Sequence, residues 1–191
     1  MRSSRHLMKS GGPRESRLHG FTLVELMVTV AVMAVLLAIA APSFNGVVLS
    51  SKLGSYANNF VASAAMARSE AIKRNATVVL CASADGASCA TTGGWEQGWM
   101  VACQTTSPSE VCDGTGPDWI VFHHQTAVSS DFKITEDSAL RTLAFAPTGI
   151  GATQAALTIC RETPPGAQER EVSVSATGRA SVKKTATGTC A

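Results

Sequence analysis

RLHGFTLVELMVTV, residues 17–30, places one carboxylate inside an apolar run that begins abruptly after Gly20. From Phe21 to Ala41 the chain has 21 residues and a single charge, Glu25. A helix needs about 20 such residues to cross the hydrocarbon core of a bilayer, so the stretch reads as a membrane span. Arg14 and Arg17 precede it and no charge follows until Lys52, which predicts an inside N-terminus and an outside C-terminus. A cleaved secretory signal is the rival reading. The stretch is long for one and lacks a small-x-small site at its far end, so it is expected to stay on the protein. An acid within a span costs about 2.5–3.5 kcal/mol on insertion scales. Glu25 therefore needs a partner, or a position close enough to the interface to reach water.

The formal charge of the 191 residues is +2, from 16 Lys and Arg against 14 Asp and Glu. Its sign comes from the start of the chain. Arg2, Arg5, Lys9, Arg14 and Arg17 stand there against Glu15 alone, which leaves 11 basic and 13 acidic residues for the remainder. A globally basic, nucleic-acid-seeking protein is not indicated, although a local basic patch stays open. The length suits one compact domain with an appendage. Residues 1–20 are polar and basic, carry Pro13, and read as an unstructured leader.

Beyond the span, Leu49, Leu53, Tyr56, Phe60, Ala64, Ala67 and Ala71 recur every three or four residues, the mark of an amphipathic helix. Residues 42–75 are thus its second half, ended by Asn75. Pro42 removes one helical hydrogen bond and is expected to kink the helix without breaking it. From residue 76 the pattern changes to short apolar runs between Gly, Pro, Ser and Asp clusters. The expected strands are Thr77–Ala82, Trp99–Ala102, Trp119–Phe122, Phe132–Ile134, Thr142–Phe145, Ala156–Cys160, Glu171–Ser175 and Ala180–Lys183. The fold class is α+β, a long N-terminal helix on an antiparallel head spanning residues 76–191.

All six cysteines, Cys81, Cys89, Cys103, Cys112, Cys160 and Cys190, follow the span. An even number on the exported side fits disulfides. Nearness in sequence favours Cys81–Cys89 and Cys103–Cys112, leaving Cys160–Cys190 to tie down the C-terminus. A zinc site would have to recruit His123 and His124, but the chain has no C-x-x-C pair.

The stretch GFTLVE at Gly20–Glu25, ahead of an apolar helix with Pro42, resembles the class III signal of type IV prepilins and type II secretion pseudopilins. In the head, ARSEAIKRNATVVLC (67–81), GWEQGWMV (94–101), LAFAPTGIG (143–151), LTIC (157–160) and REVSVSATGRASV (170–182) resemble the GspH/FimT/FimU group of minor pilins. The segment between Cys103 and Thr142 does not align with that group by its motifs. The likeness implies the type IV pilin fold and a structural subunit, not an enzyme, that primes or caps a type IV pilus or a type II secretion pseudopilus. It further implies cleavage between Gly20 and Phe21 by a prepilin peptidase and N-methylation of Phe21. Other minor and major pilins or pseudopilins would be partners through the N-terminal helix, alongside an inner-membrane assembly platform. The head would lie in the periplasm of a bacterial inner-membrane protein and reach the fibre tip after assembly. Glu25 would pair with the new Phe21 amino group of a neighbouring subunit.

Other groupings have simpler explanations. Adjacent His123 and His124 would point to opposite faces of a strand and would not converge on a metal. Asp113 and Asp118 flank GTGP, which reads as a turn sooner than a calcium loop. Trp95, Trp99 and Trp119 read as buried anchors of a small sheet. No G-x-S-x-G and no glycine-rich phosphate loop occurs, and no cofactor is called for. Arg179, Lys183 and Lys184 form the alternative worth weighing, DNA capture by a FimT-like subunit. The related subunits use a G-R-x-R motif; Gly178 and Arg179 match its first half, but Ser181 replaces the second Arg. Lys183 and Lys184 would then supply phosphate contacts.

Overall fold

A computed structural model describes residues 20–106, 111–163, 166, 168–186 and 190; the side chains of residues 40–44 also lie outside the description. The leader before Gly20 is among the residues not described. The chain divides into two compact units, residues 1–43 and 44–191.

Helix α1 is assigned from Leu23 to Arg74, through Pro42. Thr22 is its N-cap, its hydroxyl accepting the Glu25 amide at 3.2 Å. At the other end Asn75 takes a left-handed φ of 52°. The Ala76 amide donates to Ala71 O and the Asn75 amide to Ile72 O. This is a Schellman ending, and the short polar side chain of Asn tolerates the conformation it needs.

Eight strands follow: β1 (Val78–Ala82), β2 (Gly98–Thr105), β3 (Asp118–Thr126), β4 (Phe132–Glu136), β5 (Thr142–Phe145), β6 (Ala155–Arg161), β7 (Glu169–Val174) and β8 (Ala180–Thr185). They form two antiparallel sheets, in the orders β3-β2-β1-β5 and β4-β6-β7-β8. Each expected strand is present. β2 and β3 run several residues longer than expected because they pair from Gly98–Thr126 to Thr105–Asp118, with a bulge between Val101 and Ala102. Gly98 opens β2 with a φ of 108°, a region that other residues rarely adopt, and a Cβ there would sit 2.5 Å from Gln125 O.

The core lies between the second half of α1 and both sheets. Leu49, Leu53, Ala57, Phe60, Ala64, Ala67 and Ala71 are buried along one stripe of the helix. Sheet residues alternate to meet them: Val78, Leu80, Trp99, Val101, Leu143 and Phe145 from one sheet, Phe132, Ile134, Leu157, Ile159, Val172 and Val174 from the other. Ala57 takes the interior place that spacing gave to Tyr56. The Tyr56 ring instead meets Phe132 edge-on at 5.2 Å, and its hydroxyl accepts the Ser129 amide.

The expected anchors Trp95 and Trp99 are buried at 1% and 0% exposure. Phe60 contacts both rings, at centroid distances of 5.2 and 5.5 Å. Trp95 Nε1 donates to Leu140 O and Trp99 Nε1 to Ser63 Oγ, which itself donates to Asn59 O. Trp119 lies half-buried against a smaller cluster of Cys81, Met100 and Ala102 on the far face of the first sheet.

Candidate functional site

Two regions hold the residues that sequence singled out. The first is the helix start. Gly20, Phe21 and Glu25 are exposed, and Glu25 occupies the first turn of α1, where a carboxylate also complements the positive end of the helix dipole. The apolar residues that follow, Leu23 to Ile39, stay largely exposed; Phe21 is 79% and Ile39 70% accessible. So much uncovered apolar surface calls for lipid or other helices. No helix, over the described residues, is long and apolar enough to cross a membrane. The described side chains of that stretch end at Ile39, short of Ala41.

The second region is the head. Disulfides join Cys81 to Cys89, Cys103 to Cys112 and Cys160 to Cys190, and no described cysteine is free. Cys81–Cys89 closes a loop ordered by Asp85, whose carboxylate accepts the amides of Ala87 and Ser88. Those bonds, Ala87's first, hold Asp85 well below the usual carboxylate range. Asp113, next to the Cys103–Cys112 bridge, ties Thr106 to Thr115: Oδ2 accepts the Thr106 hydroxyl and amide, Oδ1 the Thr115 amide. The Thr106 hydroxyl contributes most, and the pKa falls from 3.8 to about 2. The aspartate serves a turn, as its sequence context suggested.

This loop carries a pH prediction. A depressed carboxylate contributes stability fully above its unfolded pKa of about 4 and loses it as pH falls through the folded value. The window is therefore about pH 4 down to about 2. Asp113→Asn is expected to flatten the fall of melting temperature across that window, while a curve parallel to the unmodified protein's would show the hydrogen bonds to be inconsequential.

His123 and His124 lie inside β3, and the His124 ring covers Gly86. Among the described residues no His, Cys, Asp and Glu group could hold a metal. The cations weighed for DNA do not form one patch. Lys183 and Lys184 are neighbours in β8 and so project to opposite faces. Lys183 stands opposite Glu171 across the β7–β8 pair. Arg179 borders a hollow that also contains Glu136 and Asp137. Phosphate backbones need several cations on one side with few acids among them. The DNA-binding alternative therefore gains no support.

An N-terminal helix with a prepilin-type start, its second half packed on a disulfide-closed antiparallel head, defines a subunit of the type IV pilin fold. The sequence matches the prokaryotic N-terminal methylation motif over residues 16–41 and the family described as Type II transport protein GspH over residues 56–178. The second match takes in well over half of the chain, which belongs to the GspH family. Among solved structures it is similar to the type IV minor pilin FimU of Pseudomonas aeruginosa, with a TM-score of 0.52 and 20% identity over 70% of this chain and 90% of that one. It is also similar to the minor pseudopilin EpsH from the Type 2 Secretion System of Vibrio cholerae, with a TM-score of 0.48 and 12% identity over 72% and 99%. The first likeness shows the fold, and the second is too slight to argue from. No curated protein matches the sequence.

Proposed function

We propose that the protein is a minor pilin or pseudopilin that takes its place in a fibre through α1, after removal of the leader. The observation that carries this reading is the conjunction of two features in one chain. A methylation motif ends where the apolar half of the helix ends, and a GspH head follows it. On this reading residues 1–20 are the leader, 21–41 the membrane and assembly segment, 42–75 the head-packed half of the helix and 76–191 the head proper. Prepilin peptidase cuts between Gly20 and Phe21, and Phe21 is then N-methylated.

Before assembly the protein sits in the inner membrane with the head on the periplasmic side, where disulfides can form. The exposed apolar helix then exchanges lipid for neighbouring helices. Glu25 supplies register: its carboxylate pairs with the Phe21 ammonium group of an adjacent subunit, and a charge left alone in that low-dielectric bundle is the costly state. Other pilins, the peptidase and the assembly platform are thus the partners, and no catalysis by the subunit is involved.

The test is processing and location together. Mass spectrometry of the mature chain is expected to find it beginning at an N-methylated Phe21 and to recover it from sheared fibres. A chain that keeps its leader, or that is processed yet never enters fibres, overturns the reading. In a deletion strain, loss of twitching marks a pilus subunit and loss of secretion a pseudopilus one.

A further inference from the structure

β8 is the outermost strand of its sheet, and among the described residues nothing pairs with its free edge. The phase of the β7–β8 ladder is set where the Ser175 amide donates to Arg179 O. Arg179, Ser181 and Lys183 consequently bond inward, while Ala180, Val182 and Lys184 turn their N–H and C=O groups to the open side. The edge of β5, by contrast, is closed: Thr153 donates its amide to Ala144 O and accepts the Ala144 amide at its hydroxyl.

The two sides of the β8 edge differ in chemistry. Ala180 and Val182 stand opposite the core residues Val174 and Val172, on the side of α1. Beside them lies a mostly apolar hollow of about 470 Å³, bounded by Val61, Ala65, Arg68 and Ile72 of the helix and by Gly178 to Ala180. Ile72 is half exposed and Val182 is 39% exposed. Within the hollow's wall, Arg68 Nε is buried with no hydrogen-bond partner. On the other side of the strand project Ser181 and Lys183, with Arg179 at the turn and Glu171 of β7 opposite Lys183, while Lys184 projects with Val182 toward the side of α1. Arg68, Arg179, Lys183 and Lys184 take no part in the ion pairs of the described residues, which are those of Glu70 with Lys73 and Arg74.

We propose that this edge receives an extended segment of another protein as an added strand, one whose side chains alternate between apolar and acidic. The free amides and carbonyls at residues 180, 182 and 184 require a peptide backbone as their complement. The period of two then sorts the incoming side chains. Apolar ones meet Val182 and the hollow against α1, and carboxylates meet Arg179 and Lys183. A nucleic acid would leave the outward backbone donors and acceptors and the apolar wall unmatched. The surface belongs to the head and does not involve Glu25 or Phe21, so it can be tested apart from fibre entry.

The probe is a fluorescein-labelled peptide, Glu-Val-Glu-Val-Glu-Val-Glu, titrated by polarisation into the whole protein in detergent micelles. Saturable binding is expected, and a Lys-Val peptide of the same length should not bind. Val182→Pro removes an outward N–H without touching the β7 ladder and should weaken binding about tenfold. Ala180→Pro, at the next outward position, serves as the second variant and should act alike. Arg179→Glu combined with Lys183→Glu should weaken binding at least as much, and less so in high salt. If both proline variants bind as the unmodified protein does while charge reversal abolishes binding, the site is a charged patch and strand addition is overturned. Duplex DNA that displaces the peptide with equal sensitivity to charge reversal but none to proline overturns it too. A self-dimer dissolved by Val182→Pro would make a second copy of this chain the occupant and refute the proposal.

Discussion

Glu25→Ala is expected to leave the head folded and the chain membrane-bound, yet to remove the subunit from fibres almost completely. The carboxylate has two distinct jobs open to it. It sits in the first turn of α1, just after the Thr22 cap, where it complements the helix dipole. That contribution is worth about 0.3–1 kcal/mol and belongs to the isolated subunit. The proposed pair with a neighbour's Phe21 ammonium exists only after cleavage and only in the assembly. There, removing one partner leaves the other charge unpaired in a dry bundle, at about 3–5 kcal/mol. An effect of that size corresponds to a loss of incorporation on the order of 10²–10⁴-fold. Three variants separate the two roles. Glu25→Asp keeps the charge and should retain much of the incorporation. Glu25→Gln keeps size and hydrogen bonding but not charge, and should behave as Glu25→Ala does. The readout is the fraction of the subunit in sheared fibres relative to the membrane. Normal incorporation of Glu25→Gln would reduce Glu25 to a helix-capping residue and remove the register device.

Much of this architecture could be read from the chain because its signals were local. The spacing of apolar residues from Leu49 to Ala71 gave the buried stripe, and Asn75 gave its end, since each depends on neighbours within a turn or two. The paired cysteines nearest in sequence are also the bonded ones at Cys81–Cys89 and Cys103–Cys112. What escaped was set by contacts distant in sequence. Tyr56 and Ala57 are equally compatible with the helical period, and the edge-on contact of Tyr56 with Phe132 on β4, where Ala57 lies inside, is distant in sequence. The division of eight strands into two sheets depends on β5 returning to β1 of the first sheet between β4 and β6 of the second, and no local pattern encodes that. Likewise Arg179, Lys183 and Lys184 look like a cluster along the chain. The pleat and the register against Glu171 then separate them. The open β8 edge was invisible for the same reason, because an edge is defined by the strand that is not beside it.

Phe60→Ala is expected to destabilise the head by about 3–5 kcal/mol, the range for removing a fully buried aromatic ring. Phe60 has no solvent exposure and stands where α1 meets the first sheet, its ring against Trp95 and Trp99 at once. Each tryptophan is in turn fixed by a hydrogen bond, Trp95 to Leu140 O and Trp99 to Ser63 Oγ. Neither indole can therefore swing into the vacated space without leaving a buried donor unpaired, which itself costs about 1–3 kcal/mol. Collapse of the cavity is thus opposed from two sides, which places the cost toward the upper end of the range. Against a total stability of about 5–15 kcal/mol, this change consumes a large share. At about 2–4 °C per kcal/mol for a domain of this size, the melting temperature should fall by roughly 6–20 °C. Tryptophan fluorescence of the whole chain in detergent, followed through thermal unfolding, reads the shift directly, because two of the three tryptophans, Trp95 and Trp99, line the cavity. Ile72→Ala is the control: Ile72 is half exposed on the same helix and should change stability by about 0.5 kcal/mol or less. A fall no larger for Phe60→Ala than for Ile72→Ala would mean that the tryptophans close over the gap, and that their hydrogen bonds do not hold them in place.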